Sequence, residues 1–161
     1  MDETRSLYLI CEGKQDAAIL HTLLDCSSYQ KVFQVPAEGY GNLASVARTI
    51  RLMRSPMGSN NKIIIAFDAD SMNPQIRNDR IATMRYLTNA DYDKRIGVFC
   101  FIPTIEGYLF NIDAQILKCD TVKLIDYLKT HLEKLKEKEI IKEMQTFLDE
   151  RNTLGANAID G

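Results

Sequence analysis

Five carboxylates lie just beyond apolar segments that have the composition of buried β-strands. The apolar segments are residues 6–11, 62–67 and 96–102. In an open parallel sheet the strands end at a common edge, and ligands bind in the crevice beside that edge. Acidic side chains that follow three such strands are therefore expected to meet at one place. They are Glu12, Asp16, Asp68, Asp70 and Glu106.

An acidic cluster of this kind needs a cation. Carboxylates held close together repel one another, and a set of oxygen ligands favours Mg²⁺ or Mn²⁺. Asp68 and Asp70 are two residues apart, so both side chains point to the same side if the backbone between them is extended. Ala69 between them leaves room for an ion. The spacing predicts a Mg²⁺ (or Mn²⁺) site in which Asp68 and Asp70 are the firmest ligands.

The same carboxylates also have ordinary structural explanations. Acidic residues are common at the starts of helices, where they interact favourably with the free N–H groups. Asp16, taken alone, is explained at least as well by a place in the first turn of a helix, and Glu106 has the same alternative. Asp68 and Asp70 directly follow an apolar strand and are harder to explain in this way.

Several residues near the predicted site have the properties of phosphate contacts. Gly13 would allow a tight turn and a close approach of a phosphate to the backbone, beside the free N–H groups of the next helix. Arginines recur at every third position on the predicted second helix, although a solvated helix face explains them nearly as well. The candidate substrate-binding residues are Gly13, Lys14, Arg48, Arg51 and Arg77.

The chain alternates between strand and helix patterns. The predicted strands are residues 6–11, 31–36, 62–67 and 96–102. The predicted helices are residues 14–25, 43–54, 75–89 and 105–110, followed by a helical tail over 121–151 with a break near 131. Asn42 and Asn73-Pro74 are predicted helix starts. This alternation predicts an α/β fold with a central parallel sheet of about four strands and helices on both faces.

Composition and charge restrict the class of protein. The chain has 161 residues, of which 45% are hydrophobic, and one domain is expected. The net charge of −2 is unlike that of proteins that coat nucleic acid electrostatically, so a nucleic-acid partner would require a metal-assisted site. A cytoplasmic protein is expected, since neither a membrane-spanning apolar run nor a secretory signal pattern is found. The cysteines are expected to be free thiols: Cys11, Cys26, Cys100 and Cys119.

Three of the acidic segments together resemble a known domain family. The motifs Glu12-Gly13-Lys14-Gln15-Asp16 and Asp68-Ala69-Asp70 each follow an apolar strand. In this order they resemble the Toprim domain, which is the catalytic domain of type IA and type II topoisomerases, bacterial primases, recombination-mediator proteins and the overcoming-lysogenization-defect nucleases. The acidic residue four positions after the glutamate is most similar to the nuclease branch. Pro103-Thr104-Ile105-Glu106 resembles a late P-x-x-E element of nuclease-like members.

The resemblance covers about residues 6–112. It implies a Rossmann-like Toprim fold with a catalytic core over residues 1–112. Residues 113–161 would then be a C-terminal helical extension of the same domain.

The resemblance also implies roles for the carboxylates. It makes Glu12 a general acid/base or a metal ligand, and it makes Asp68 and Asp70 ligands of Mg²⁺. These three are the catalytic candidates. Asp16 and Glu106 would complete a second metal position, so that two metals clamp the attacking and leaving oxygens of a phosphodiester.

Three functions compete on these observations. The leading one is a small Mg²⁺-dependent Toprim nuclease or nickase that acts on DNA or RNA. The alternative is a non-catalytic nucleic-acid-binding or regulatory module that acts with a partner protein, which would bind through the C-terminal helices. The third candidate is a primase-like nucleotidyl transferase or a phosphatase. It is included because D-x-D at a strand end also suits phosphoryl transfer.

Overall fold

A computed structural model describes residues 5–54, 61–110 and 120–150. The fold is α/β, with one sheet of four parallel strands in the order β2-β1-β3-β4. The strands are β1 (Ser6–Cys11), β2 (Lys31–Pro36), β3 (Lys62–Asp68) and β4 (Ile96–Phe101). The predicted fold class is therefore confirmed, and each predicted strand agrees with the observed one to within a residue at either end.

Seven described helices flank the sheet. They are α1 (Lys14–Leu23), α2 (Leu43–Arg54), α3 (Pro74–Thr88), α4 (Ile105–Phe110), α5 (Thr121–Thr130), α6 (Leu132–Lys136) and α7 (Glu139–Asp149). Short 3₁₀ turns over Tyr40–Asn42 and Ala90–Tyr92 precede α2 and β4. Asn73 accepts a hydrogen bond from the Gln75 N–H and caps α3, as predicted.

Two helix predictions differ from the structure. The tail breaks near 131, as predicted, but also a second time before α7 begins at Glu139. Asn42 belongs to the 3₁₀ turn, and its side-chain amide donates to the carbonyls of Ala37 and Glu38. Asn42 therefore ties the end of the loop after β2 to the start of that loop.

The sheet is covered on both faces, which explains its apolar strands. Leu7 and Leu9 of β1 pack on one face with α1 and the C-terminal helices α4–α7. Tyr8 and Ile10 pack on the other face with α2 and α3. Alternate residues of a strand point to opposite faces, so a strand covered on both sides must be apolar at nearly every position.

The strand order reverses direction between β1 and β3. The chain passes from β1 to its neighbour β2, then crosses β1 to form β3 and β4 on the other side. Adjacent loops at such a reversal leave the sheet in opposite directions and open a crevice at the carboxyl ends of the two strands. Glu12 and Asp68 lie at the carboxyl ends of these two strands.

Lys62 lies at the opposite, amino edge of the sheet. The side chain is buried, and its Nζ donates hydrogen bonds to the carbonyl oxygens of Phe147 and Glu150 at the end of α7. Lys62 thus satisfies carbonyls that a helix end leaves unpaired, and its position excludes it from the acidic cluster.

Two further expectations concern the chain as a whole. No helix among the described residues is long and apolar enough to cross a membrane. Cys11, Cys26 and Cys100 are free thiols, as predicted, whereas Cys119 lies outside the described residues.

Candidate metal centre

Three of the five predicted carboxylates converge in the crevice between β1 and β3. Glu12, Asp16 and Asp68 each offer a carboxylate oxygen, and these oxygens all lie within 4.8 Å of one another. All three residues are half-buried. Their arrangement brings together the end of one strand, the first turn of α1 and the end of a second strand.

The backbone of Glu12 anchors the neighbouring loop. Its carbonyl oxygen accepts hydrogen bonds from the N–H groups of Glu38, at 3.0 Å, and Gly39, at 3.3 Å. Gly39 adopts a φ of 129°, a conformation that side chains disfavour, so glycine suits this position. The loop after β2 is thereby held against the residue that supplies the first carboxylate.

Asp68 is fixed by contacts to both its side chain and its backbone. Its Oδ1 accepts a hydrogen bond of 2.7 Å from the N–H of Ile105, the first residue of α4. Its carbonyl oxygen accepts a 3.0 Å hydrogen bond from Nη1 of Arg80 on α3. A carboxylate at a helix N-terminus is electrostatically favourable, so α4 both orients and stabilises this side chain.

Glu106 reaches the cluster through Asp16. Its charge, and a hydrogen-bonding contribution from its carboxyl group, help to raise the pKa of Asp16. Glu106 lies in the first turn of α4 and Asp16 in the first turn of α1, so two helix N-termini point toward the same acidic group.

The electrostatics of the cluster favour protonation when no cation balances it. Burial, followed by the nearby charges of Glu106 and Asp68, raises the pKa of Asp16 to about 8. Burial is also the main cause that raises the pKa of Asp68 to about 7, and the hydrogen bond from Ile105 opposes it. Burial and Asp70 raise the pKa of Glu12, while Arg80 lowers it.

Asp70 does not have the extended backbone that the i, i+2 spacing assumed. Its φ of 54° lies in the left-handed region, and its N–H donates a 2.8 Å hydrogen bond to the carbonyl of Pro103. The Asp70 side chain is 60% exposed, with one carboxylate oxygen 3.8 Å from Nη1 of Arg80. Asp70 therefore lies at the rim and outside the trio of close oxygens, although its charge acts on Glu12.

Arg80 is a site residue that the sequence analysis missed. It contacts the Asp68 carbonyl and Asp70, and its guanidinium lies 4.8 Å from the centre of the Tyr40 ring. Arg80 follows Arg77 by three positions on α3, so the two share one side of the helix. Two arginines three positions apart on the helix that follows Asp70 are the sequence pattern that could have indicated Arg80.

The predicted substrate contacts occupy different places. Lys14 is exposed at the start of α1 beside Gly13, around which a Cβ would meet open space. Gly13 has an extended φ of −136°, so its conformation does not require glycine. Arg77 donates from Nε to the carbonyl of Cys100, at 2.9 Å. Arg48 is exposed midway along α2.

Arg51 lies away from the site. Its Nε donates to Oδ2 of Asp93 at 2.9 Å, and Asp93 also binds Arg95 just before β4 begins. This ion-pair network lies at the amino edge of the sheet, opposite the carboxylates. The arginine stripe of α2 therefore does not extend as a unit along the acidic crevice.

Cys11 lies directly beneath the acidic trio. It is the last residue of β1 and is completely buried, and burial followed by the charges of Asp16, Asp68 and Glu12 raises its pKa well above the usual range. The thiol therefore stays protonated at neutral pH and has the character of a core residue.

Comparisons with known proteins do not assign the chain to a family. No protein-family model matches it, and no curated protein or solved structure matches it. The chemistry of the crevice therefore has to be inferred from its own residues.

The donor set fits a hard divalent cation. The close oxygens come from Glu12, Asp16 and Asp68, and carboxylate oxygens are the ligands that Mg²⁺ and Mn²⁺ prefer. Burial, followed by the charges of neighbouring carboxylates, raises the pKa values of Asp16 and Asp68, so the charged form of the cluster is costly without a cation. A bound cation would stabilise the charged carboxylates in place of protons.

Proposed function

We propose that the protein is a Mg²⁺- or Mn²⁺-dependent enzyme that acts on nucleic-acid phosphodiesters, as a small nuclease or nickase. The observation that carries this proposal is the convergence of the Glu12, Asp16 and Asp68 oxygens within 4.8 Å of one another. Their place at the reversal of the strand order is where open parallel sheets bind ligands. The motif resemblance to the nuclease branch of the Toprim domain supports the same chemistry.

The three close carboxylates would hold the cation, with Asp70 and Glu106 at the rim. A bound divalent cation supplies Lewis-acid stabilisation of the charge that develops on the phosphoryl oxygens. Asp68 would be the most firmly held ligand, since the Ile105 N–H donates to its Oδ1. Glu106, in the first turn of α4, would add its negative charge beside Asp16.

The basic side chains nearest the site would contact the substrate. Lys14 and the helix N-terminus behind Gly13 lie on one side of the crevice, and Arg80 lies on the other. Because few basic side chains of the described residues lie near the site, the affinity for substrate should depend strongly on the bound metal and only moderately on the salt concentration.

The test is a cleavage assay on a panel of DNA and RNA substrates with Mg²⁺ or Mn²⁺. Asp68→Asn and Glu12→Gln should each lower cleavage by about 100-fold or more, because each removes a charged ligand. Asp126→Asn, an exposed acidic residue on α5, is the matched control and should leave cleavage unchanged. Binding of Mn²⁺ to each variant should be measured separately by calorimetry.

Two outcomes would contradict the proposal. Cleavage that persists in both Asp68→Asn and Glu12→Gln would mean that another protein or another site performs it. Mn²⁺ binding without cleavage of any substrate would instead favour the alternative in which the chain is a non-catalytic module that acts with a partner.

A further inference from the structure

A groove runs along the outer edge of β4, on the far side of the sheet from β2. It has a volume of about 1050 Å³. Its floor includes Ile96–Phe99 of β4, one wall is α7, and the other wall is formed by the end of α3 and the turn before β4. The groove is separate from the acidic crevice, and none of the five carboxylates of the candidate metal centre lines it.

The floor of the groove offers unpaired backbone groups. In β4, the odd-numbered residues bond to β3, as the hydrogen bonds from Ile63 to Arg95 and from Ala69 to Phe101 show. The even-numbered residues therefore direct their N–H and C=O groups outward. Within the described part of the chain, these outward groups have partners at the two ends only, where Ile96 N–H binds Asp93 and Cys100 C=O binds Arg77.

Val98, between those two ends, presents both its N–H and its C=O to the groove. The Ile96 carbonyl extends the same row, whereas Cys100 is fully buried and does not line the groove. A row of unpaired strand groups is a template for an added strand. The natural occupant is therefore an extended peptide segment, since a compact ligand could not pair with the row.

The charge on the α7 wall selects the kind of segment. Four residues at positions i, i+4, i+7 and i+11 along one side of the helix line the groove. They are Glu139, Glu143, Thr146 and Glu150. All four are exposed. Glu137 is paired with Lys142 at 3.0 Å, so these two charges compensate each other. The charge of Glu150 acts on the buried ammonium of Lys62, which also lines the groove. The stripe of Glu139 and Glu143 is left as the acidic wall.

The stripe runs alongside the strand at a matching spacing. Ile140 of α7 lies near Tyr108 beyond the carboxyl end of β4, and Phe147 lies near Lys62 at the amino edge, so α7 runs antiparallel to β4. Four helical residues span about 6 Å, and two strand residues span about 6.6 Å. Basic side chains at alternate positions of an added strand would therefore face Glu139 and Glu143.

The opposite wall is lined by Arg85, Ala90, Asp91 and Lys94 and carries no surplus of acidic charge. Arg85 and Asp91 form an ion pair of 2.6 Å there, and Lys94 is exposed. Tyr86 and Tyr92, which are 82% and 86% exposed, are the sequence neighbours of these lining residues. Exposed aromatic side chains of this kind are typical of protein-binding surfaces.

We propose that the groove beside β4 binds an extended segment of a partner protein, rich in lysine or arginine at alternate positions, as a fifth strand of the sheet. A second copy of this chain fits less well. Antiparallel pairing of two β4 strands about a two-fold axis would place the α7 helices side by side, with one acidic stripe against the other.

The test uses a fluorescent eight-residue peptide of alternating lysine and valine, with a glutamate-valine peptide as the comparison. The lysine peptide should bind the full chain, more weakly at higher salt, and the glutamate peptide should not bind. Glu139→Lys with Glu143→Lys should weaken binding by about tenfold or more, because two attractions become repulsions. Asp126→Lys with Glu133→Lys, which makes the same change in net charge on α5 and α6, should not.

Amide hydrogen exchange decides whether the peptide adds as a strand. The Val98 amide should become protected when the lysine peptide binds, and a peptide that is N-methylated at alternate positions should fail to protect it. If both double variants lose peptide binding equally, then binding depends on the net charge of the protein and not on the groove, and the proposal is overturned. Circular dichroism of each variant verifies that it is folded.

The free protein provides a further test. If the Val98 amide is already protected before peptide is added, then the groove is filled by residues 151–161 of the same chain or by a second copy, and the proposal is wrong. Light scattering tells these two cases apart, because only the second changes the mass. Lack of binding by the lysine peptide to an unprotected edge would also overturn the proposal.

Discussion

At the scale of single residues, the crevice is a balance between five acidic side chains and the guanidinium of Arg80. Arg80 opposes the charges that raise the pKa of Glu12 and holds the carbonyl of Asp68. The same side chain lies against Tyr40, whose ring limits where it can move. Arg80 is therefore placed both to organise the ligands and to contact an anionic substrate.

Substitution of Arg80 should separate these two tasks. Arg80→Gln is expected to lower cleavage by about 100-fold, since a charged donor to the phosphate is lost. Mn²⁺ should bind the variant at least as tightly, because a positive charge has been removed from the neighbourhood of the ion. Arg80→Lys keeps the charge without the forked donors and should be intermediate. Loss of Mn²⁺ binding in Arg80→Gln would show instead that the main task is to hold Asp68.

At the scale of elements, the short helix α4 carries more of the site than its length suggests. Its first N–H binds Asp68, and its second residue is Glu106. Thr104 precedes the helix, and its Oγ1 accepts a 2.9 Å hydrogen bond from the Gly107 N–H. This threonine cap is therefore a support for two of the acidic residues.

Removal of that cap gives an element-scale prediction. Thr104→Ala should destabilise the protein by about 1 kcal/mol. For a chain of this length, that loss lowers the melting temperature by about 2–4 °C. The variant should also weaken Mn²⁺ binding, while Thr104→Ser should behave as the wild type in both thermal melting and calorimetry. Equal behaviour of the alanine and serine variants would exclude a role for the hydroxyl.

A second element-scale prediction concerns the packing of α7 on β4. A Cβ at Gly97 would lie 2.8 Å from a ring atom of Phe99 and 3.0 Å from one of Phe147. Gly97→Ala should therefore destabilise the fold by about 1–3 kcal/mol, since the rings must shift. Phe147→Leu should recover part of this loss in the double variant, measured by urea unfolding. Strict additivity of the two substitutions would contradict the proposed clash.

At the scale of the whole molecule, the acidic crevice should make stability depend on pH. The folded-state pKa values of Asp16, about 8, and Asp68, about 7, lie above those of unfolded aspartates. Between about pH 4 and pH 8 the folded state therefore holds more protons than the unfolded state, and their contribution to stability falls as pH rises.

The expected result is a melting temperature that decreases from pH 5 to pH 8 in a chelator. Mg²⁺ should raise the melting temperature more at pH 8 than at pH 5, since it binds the deprotonated carboxylates. Asp16→Asn should flatten both dependences, with Asp126→Asn as the control. A melting temperature that increases steadily over this interval without metal would contradict the assigned directions.

Sequence patterns predicted the scaffold well because the physics of the scaffold is local and periodic. Unbroken apolar runs identified the buried strands, and their ends located Glu12 and Asp68. The patterns failed where distant contacts decide the outcome. The left-handed conformation of Asp70 accompanies a hydrogen bond to Pro103, and the second break in the tail precedes an N–H of Ile140 that donates to the Tyr108 hydroxyl.

The position of Cys11 has a practical consequence. A thiol that is fully buried and protonated reacts with an alkylating reagent only when the surrounding structure opens. The rate at which Cys11 is labelled, identified by peptide mass, therefore measures how often the floor of the acidic crevice opens. Local opening can thus be measured at a native residue, without an introduced cysteine, by comparing the labelling rate of Cys11 in the presence and absence of Mg²⁺.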